Sequence, residues 1–289
     1  GSSGAASWPR RKGENEDFML KECLENVRRT APLIHCITNY VTINDVANVL
    51  LACGASPIMA DAAEDAAQIT SGCAGLDLNL GQLHRTGLEA MLLAGRKANE
   101  LGHPVVLDPV GVGASDFRRE AALQLMEEIR FTAIRGNASE IRALAAERHT
   151  EGGVDADAAD AVTGTGLERD AAFVRAFSAR IGCIVAMTGS LDLVADAKRC
   201  YLVENGRPEM SRVTGTGCQL SGLMAAYLAA SPERALEAAV SAVCAMGAAG
   251  ELAWERMREG EGNAAYRNRI IDAVFLMSGE ELEQRARFR

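Results

Sequence analysis

Short, continuously apolar runs that alternate with helical stretches are what most restrict the folds open to this chain. Residues 33–38 (LIHCIT), 56–60 (SPIMA), 104–109 (PVVLDP), 131–135 (FTAIR) and 184–188 (IVAMT) each read as a buried strand. Residues 76–80 (LDLNL) alternate apolar and polar side chains and read as a further strand. Between them, residues 44–53, 86–101 and 116–129, and a segment beginning at Asn137, carry helical patterns, with Gly54 and Gly102 placed as helix stops. Strands buried on both faces and separated by helices predict a mainly parallel sheet covered on both sides. Residues 192–196 and 199–204 suggest a hairpin-like pair near one edge, and helices fill the rest.

A length of 289 residues suffices for one large α/β domain with a sizeable core. We expect a single-domain α/β layered sandwich over residues 16–280, with a tag remnant and disordered N-terminus over 1–15 and a C-terminal tail over 281–289. The opening Gly1-Ser2-Ser3-Gly4 reads as a tag remnant. Residues 151–167, rich in Gly, Ala and Asp, read as a surface excursion and not as a linker between domains.

Charge and cysteine usage narrow the function classes. A net charge of −9, with no Lys/Arg-rich stripe, speaks against a nucleic-acid binder. A phosphate substrate remains open, provided that a metal ion supplies much of the positive charge. The eight cysteines form no Cys-x-x-Cys and mostly lie in apolar stretches, which suits free thiols in a reducing cytoplasm. The Ala-rich region 220–256 is interrupted by Ser231-Pro232-Glu233-Arg234 and Glu237, so it reads as two packed helices and not as a membrane span.

In an open parallel sheet, ligands sit beyond the carboxyl ends of the strands. The polar residues expected there are Thr38, Asn39, Asp61, Asp108, Arg135, Asn137 and Thr188, with Met59 beside them. No Gly-x-x-x-x-Gly-Lys-[Ser/Thr] is present, and no Gly-x-Gly-x-x-Gly follows the first strand. Instead Val213-Thr214-Gly215-Thr216-Gly217-Cys218 runs directly into an apolar helix. Glycines there let backbone approach an anion, towards which the first free N–H groups of the helix point. A Gly-rich turn entering a packed helix is the alternative. A near copy at 162–166 leads into a charged helix start behind an acidic run, which disfavours an anion.

Cys218 at a helix start is expected to have a stabilised thiolate, and is open to three roles: nucleophile, base, or small buried residue. Asp108 ends a buried strand before Pro109, where a carboxylate can hold Mg2+ through water or cap the loop that follows. Asn137 and Glu140 fit a capping box, yet Glu140 also lies where it could reach a hydrated metal. Arg135 is the nearest cation for a nucleotide phosphate. His35 and His84 read as structural.

Taken together, Ile34–Thr42 (IHCITNYVT), Asn44-Asp45-Val46-Ala47-Asn48, Pro57-Ile58-Met59-Ala60, LDPVGVGA at 107–114, RGNASEI at 135–141 and VTGTGC at 213–218 resemble the hydroxyethylthiazole kinase family of the ribokinase-like superfamily. The resemblance extends from about residue 33 to about residue 274. It implies ATP-dependent phosphorylation of the hydroxyl of 4-methyl-5-(2-hydroxyethyl)thiazole, in thiamine biosynthesis and salvage. It also implies a cytoplasmic homotrimer with active sites at subunit interfaces. By position, Met59, Gly215 and Asn39 are expected at the substrate, and Arg135 and Thr188 at ATP. Asp108 and Glu140 are expected at Mg2+, and Gly215 to Gly217 as the anion hole. Where sugar kinases of this fold usually carry Asp as the base, this chain has Cys218, a weaker one. The nearest rival is a hydroxymethylpyrimidine kinase, against which the segment 34–42 argues.

Overall fold

The computed structural model describes residues 19–147 and 164–289. The N-terminal stretch over 1–15 and nearly all of the excursion over 151–167 lie outside the described residues, apart from 164–167, which open a helix. In chain order, α1 (Leu20–Thr30), β1 (Leu33–Ile37), α2 (Ile43–Cys53), β2 (Ser56–Met59), α3 (Ala66–Ser71), β3 (Gly75–Asn79), α4 (Arg85–Leu101) and β4 (Val105–Asp108) form the first half. The second half comprises α5 (Asp116–Glu128), β5 (Ala133–Asn137), α6 (Ala138–Glu147), α7 (Gly164–Ile181), β6 (Ile184–Thr188), β7 (Asp192–Ala195) and β8 (Cys200–Val203). It ends with α8 (Thr216–Ala230), α9 (Ala235–Glu255), α10 (Asn263–Leu276) and α11 (Gly279–Arg285).

The eight strands form one sheet in the order β2-β1-β3-β4-β5-β6-β7-β8. From β2 through β6 every pairing is parallel; β7 and β8 join antiparallel, as the hairpin expected at one edge. Alternate residues of one strand enter different cores, as the strand period of two requires. Val106, Ala133, Ile184 and Ala186 pack under α1, α2, α8, α9 and α10. Val105, Leu107, Ile134, Val185 and Met187 pack on the other side with α4, α5, α6 and α7. The chain is therefore an α/β layered sandwich with helices on both faces.

Helix ends follow local chemistry. Gly54 (φ +99°) and Gly102 (φ +72°) take the left-handed conformation that closes α2 and α4, a conformation Gly adopts without a Cβ penalty. His84 caps α4, its Nδ1 accepting from Gly87 N–H at 2.9 Å. His35 is buried, bonded to Thr70 Oγ1 at 2.8 Å and to the Ala60 carbonyl at 2.7 Å. Both are structural histidines, as expected. The Ala-rich region forms α8 and α9. The segment Pro232–Glu255 is long and apolar enough to cross a membrane by length and composition alone, but most of it is buried against neighbouring helices.

Candidate active site

β3 supplies what the alternation at 76–80 left unread. Leu76 and Leu78 enter the core under α4, so Asp77 and Asn79 point to the other face, beneath α8. That face is covered, and all five residues of β3 are buried. Register then aligns the polar ends: Asn79 lies beside Asp108, and Asn137 beside Thr188. Asn79 and Asp108 meet there beneath the start of α8, whereas Asp77 is buried with neither carboxylate oxygen partnered.

Asn79 and Asp108 anchor one connected network. Asn79 Nδ2 donates to Asp108 Oδ2 at 2.9 Å, and so does Ser221 Oγ from α8, also at 2.9 Å. Arg135 Nη1 reaches the same oxygen at 3.2 Å, while Nη2 donates to Thr188 Oγ1 at 2.9 Å. Asn39 Nδ2 donates to Asn79 Oδ1 at 3.0 Å, and both amides reach Cys218 Sγ, at 3.3 and 3.2 Å. Asp108 is fully buried with Oδ1 unpartnered. Burial pushes its carboxyl up, while the Arg135 charge and the Ser221 hydroxyl pull it back.

Cys218 departs from the expected stabilised thiolate. Burial and the neighbouring Asp108 charge raise the thiol above its usual range, although Thr42, Asn79 and Asn39 hydrogen bonds oppose them. A helix start favours a thiolate only if desolvation does not outweigh it; here it does. Cys218 is thus a protonated thiol at neutral pH and not a standing nucleophile.

Gly215 has φ +85° and caps α8. A Cβ there would lie 2.9 Å from Thr42 Cβ, so both backbone and space demand glycine. Gly217 is helical, and its missing Cβ leaves room for the Arg135 guanidinium: a Cβ would stand 2.5 Å from Nη2 and 2.6 Å from Nη1. The turn therefore places a cation directly on the open N-terminal end of α8, whose first N–H groups have no helical partner. The near copy at 162–166 does not repeat this: Gly164 and Gly166 lie in the first turn of α7, and Val162 and Thr163 lie outside the described residues.

A cleft of about 650 Å³ opens beside this turn, lined by Arg135, Thr188, Gly217, Arg207, Met210 and Met246 among others. Arg135 and Thr188 form its polar end, and segment 205–210 with α9 its far wall. Asp192 also faces it; burial raises that carboxyl to about 6, against the Gly189 N–H and the Arg135 charge. Met59 is half-buried at the end of β2, and Asn39 is buried, its amide on Cys218.

Glu140 forms the capping box. Its Oε2 accepts from Asn137 N–H at 2.8 Å, while Asn137 Oδ1 accepts from Glu140 N–H at 2.9 Å. Its Oε1 accepts from Gly111 N–H at 3.0 Å and ties the loop after β4 to α6. Among the described residues, no cluster of three or more His, Cys, Asp or Glu side chains could enclose a metal. Mg2+ rarely needs such a cluster, since it keeps several waters and takes one or two carboxylates plus substrate phosphates. The unpartnered Oδ1 of Asp108, near enough to Glu140 to feel its charge, fits that pattern.

Comparison with known proteins decides the family. The hydroxyethylthiazole kinase family model matches residues 24–280. The chain belongs to the hydroxyethylthiazole kinase family. A Clostridium acetobutylicum hydroxyethylthiazole kinase is 54% identical over 270 residues, covering 93% of this chain and 99% of that protein. The Desulfovibrio desulfuricans enzyme is 44% identical over 276 residues, covering 93% and 97%. The solved hydroxyethylthiazole kinase structure from Pyrococcus horikoshii OT3 superposes with a TM-score of 0.83 at 33% identity, covering 93% of this chain and 98% of that one. A Staphylococcus aureus pyridoxal kinase, at 15% identity and a TM-score of 0.55, shares the ribokinase-like fold alone.

Within this family member, the network joins Asn39, Asp108, Arg135, Thr188 and Cys218, all expected from the sequence, and adds Asn79 and Ser221, which were missed. For Asn79 a signal existed: an amide two residues from an acid, within a strand that continuous apolar neighbours on both sides would bury. Ser221 had none, because a serine one turn into an apolar helix ordinarily bonds its own backbone, as this one also does to Gly217 O at 3.3 Å.

Proposed function

We propose that this chain transfers the γ-phosphoryl group of ATP to the hydroxyl of 4-methyl-5-(2-hydroxyethyl)thiazole, a step of thiamine biosynthesis and salvage. The observation that carries this reading is the meeting, at one sheet edge, of the open end of α8, the Arg135 guanidinium and the buried Asp108–Asn79–Cys218 network. In phosphoryl transfer the protein mainly positions groups and stabilises charge. The cleft takes the nucleotide, with its phosphates at Arg135, Thr188 and the N–H groups after Gly215. The alcohol lies on the Met59, Asn39 and Gly215 side, with its hydroxyl against Cys218.

The hydroxyl oxygen forms its bond to the γ-phosphorus as the bond from that phosphorus to the bridging oxygen breaks, and ADP leaves. A thiol that keeps its proton at neutral pH offers no base. The arrangement tolerates this, because in a loose transition state the hydroxyl proton leaves late. The protonated Cys218 thiol orients the hydroxyl through a hydrogen bond, and the proton passes to an oxygen of the transferred phosphoryl group. Asp108 and Glu140 would hold Mg2+ through water, and the ion would neutralise charge on the phosphates. Asp108 also fixes Arg135 over Gly217.

We place the enzyme in a cytoplasmic setting, consistent with its eight free cysteines, and as a homotrimer whose neighbouring subunits complete the substrate pockets. A coupled ADP-release assay with the thiazole alcohol, the pyrimidine alcohol and a sugar tests the activity. Turnover should be greatest with the thiazole alcohol; preferential turnover of the pyrimidine alcohol would replace this reading with its nearest rival.

A further inference from the structure

The segment that follows α11 does more than trail from the fold. Leu202 N–H donates to the Arg289 carbonyl at 2.8 Å and Arg289 N–H returns to Leu202 O at 3.0 Å, so residues 287–289 extend the sheet beyond β8. Glu204 N–H also donates to the Arg287 carbonyl at 2.8 Å. Arg287 then turns its guanidinium onto Glu251 of α9: Nη2 lies 2.7 Å from Oε1, and Nη1 lies 3.0 Å from Oε2. Such a two-pronged pair fixes orientation as well as charge.

Glu251 passes that constraint to the nucleotide cleft. Its Oε1 accepts from Gly206 N–H at 2.7 Å, at a residue with φ +115°. Asn205 is held from both ends, Nδ2 donating to the Arg285 carbonyl at 2.9 Å and Oδ1 accepting from Arg287 N–H at 2.8 Å. Asn205, Gly206 and Arg207 are wall residues of the cleft. The wall also presses on α9, since a Cβ on Gly247 would come 2.6 Å from Asn205 Cβ and 2.8 Å from its carbonyl carbon. None of these contacts touches Asp108, Cys218 or Asn39.

We propose that Arg287 is a positioning residue for the nucleotide: through Glu251 it holds the Asn205–Arg207 wall of the cleft at the spacing ATP requires. The proposal rests on the cleft being the ATP site. Cutting the Arg287–Glu251 pair frees the carboxylate that receives Gly206 N–H and loosens the wall at Gly206 and Arg207, while Asn205 keeps its bonds to the 285–287 backbone and the phosphate end at Arg135 and Gly217 stays fixed. The consequence is selective for nucleotide binding.

The experiment compares the full-length wild type with Arg287→Ala, Arg287→Lys and Arg289→Ala. Steady-state constants for ATP and for the thiazole alcohol are measured, together with calorimetric binding of a non-hydrolysable ATP analogue. Arg287→Ala should raise both the KM for ATP and the Kd of the analogue about five- to tenfold, with kcat and the KM for the alcohol changed less than about twofold. Arg287→Lys should recover part of the loss. Arg289→Ala cuts an ion pair to Glu204 on the same edge without reaching Glu251, and should leave nucleotide binding unchanged. If Arg287→Ala is not obtained folded, Glu251→Gln, which keeps an acceptor for Gly206 N–H, should shift the same two constants in the same direction. An unchanged analogue Kd in the substituted proteins, equal rises in both KM values, or the same effect from Arg289→Ala would overturn the proposal while leaving the kinase reading intact. A wild type that binds no analogue would overturn both.

Discussion

Gly217→Ala isolates the role of the turn before α8. Alanine suits this position in every local respect: the backbone is helical, and Ala is favoured over Gly there by about 1 kcal/mol. The cost comes from elsewhere. The new methyl would lie 2.5 to 2.8 Å from three atoms of the Arg135 guanidinium, well inside contact distance. That guanidinium is the end of a flexible side chain, so it can move, but only by leaving Asp108 and Thr188. Asp108 is then left fully buried with its two neutral donors and no counter-charge, and breaking such a pair costs about 3–5 kcal/mol. Set against the helix gain, the net loss is about 2–4 kcal/mol, which for a chain of this size lowers Tm by roughly 3–7 °C. Catalysis loses a cation aimed at the phosphates, and kcat/KM should fall about 10²- to 10³-fold. Thermal melts and the coupled ADP assay measure the two effects. The double variant Gly217→Ala/Arg135→Ala gives the sharper result: with no guanidinium to strike, the added methyl should stabilise the Arg135→Ala protein by up to about 1 kcal/mol instead of destabilising it. If Gly217→Ala alone keeps its Tm within about 2 °C and its kcat/KM within about threefold, Arg135 is not seated on that glycine and the reasoning fails.

Cys218→Ala should slow kcat by about tenfold without abolishing it, and Cys218→Asp should remain active, since the two amides that donate to Sγ can donate to a carboxylate; a folded Cys218→Ala enzyme without turnover would make the thiol indispensable. Asp108→Asn and Glu140→Gln should each raise the Mg2+ concentration needed for half-maximal rate, with Glu140→Gln retaining the α6 cap because Gln also serves in a capping box; unchanged titrations would remove these residues from the metal site. Asp192 is raised from 3.8 to about 6 in the folded chain, so folding favours its protonated form and stability falls as pH rises between those two values. Asp192→Asn should therefore raise Tm above about pH 6 but not near pH 4, and should lower the KM for ATP about threefold at alkaline pH by removing a negative charge from the cleft; parallel pH profiles for wild type and variant would contradict this.

Most elements could be read before any coordinates, because the signals for them are local. The apolar runs at 104–109 and 184–188 and the stop glycines Gly54 and Gly102 depend on backbone preference and short-range period, and they appear where expected. The Asn137–Glu140 capping box is likewise written in four residues. The 76–80 alternation marks β3 as a strand, but period two says only that two faces differ, not what covers each of them. Burial of Asp77 and Asn79 follows from α8 lying across that face, and α8 comes roughly 140 residues later in the chain.

A doubly covered parallel sheet, a glycine turn before an apolar helix and a set of polar residues at the strand ends are written in residue order alone. How those residues act is set by packing. It set Arg135 against Gly217, joined Asp108 to Asn79 and Ser221, and turned Cys218 from an expected thiolate into a protonated thiol. It also bound residues 287–289 to the nucleotide cleft through Glu251. The difference is one of range. Backbone propensity and period act over a few neighbouring residues, whereas desolvation and hydrogen-bond partnership depend on what distant segments bring into contact.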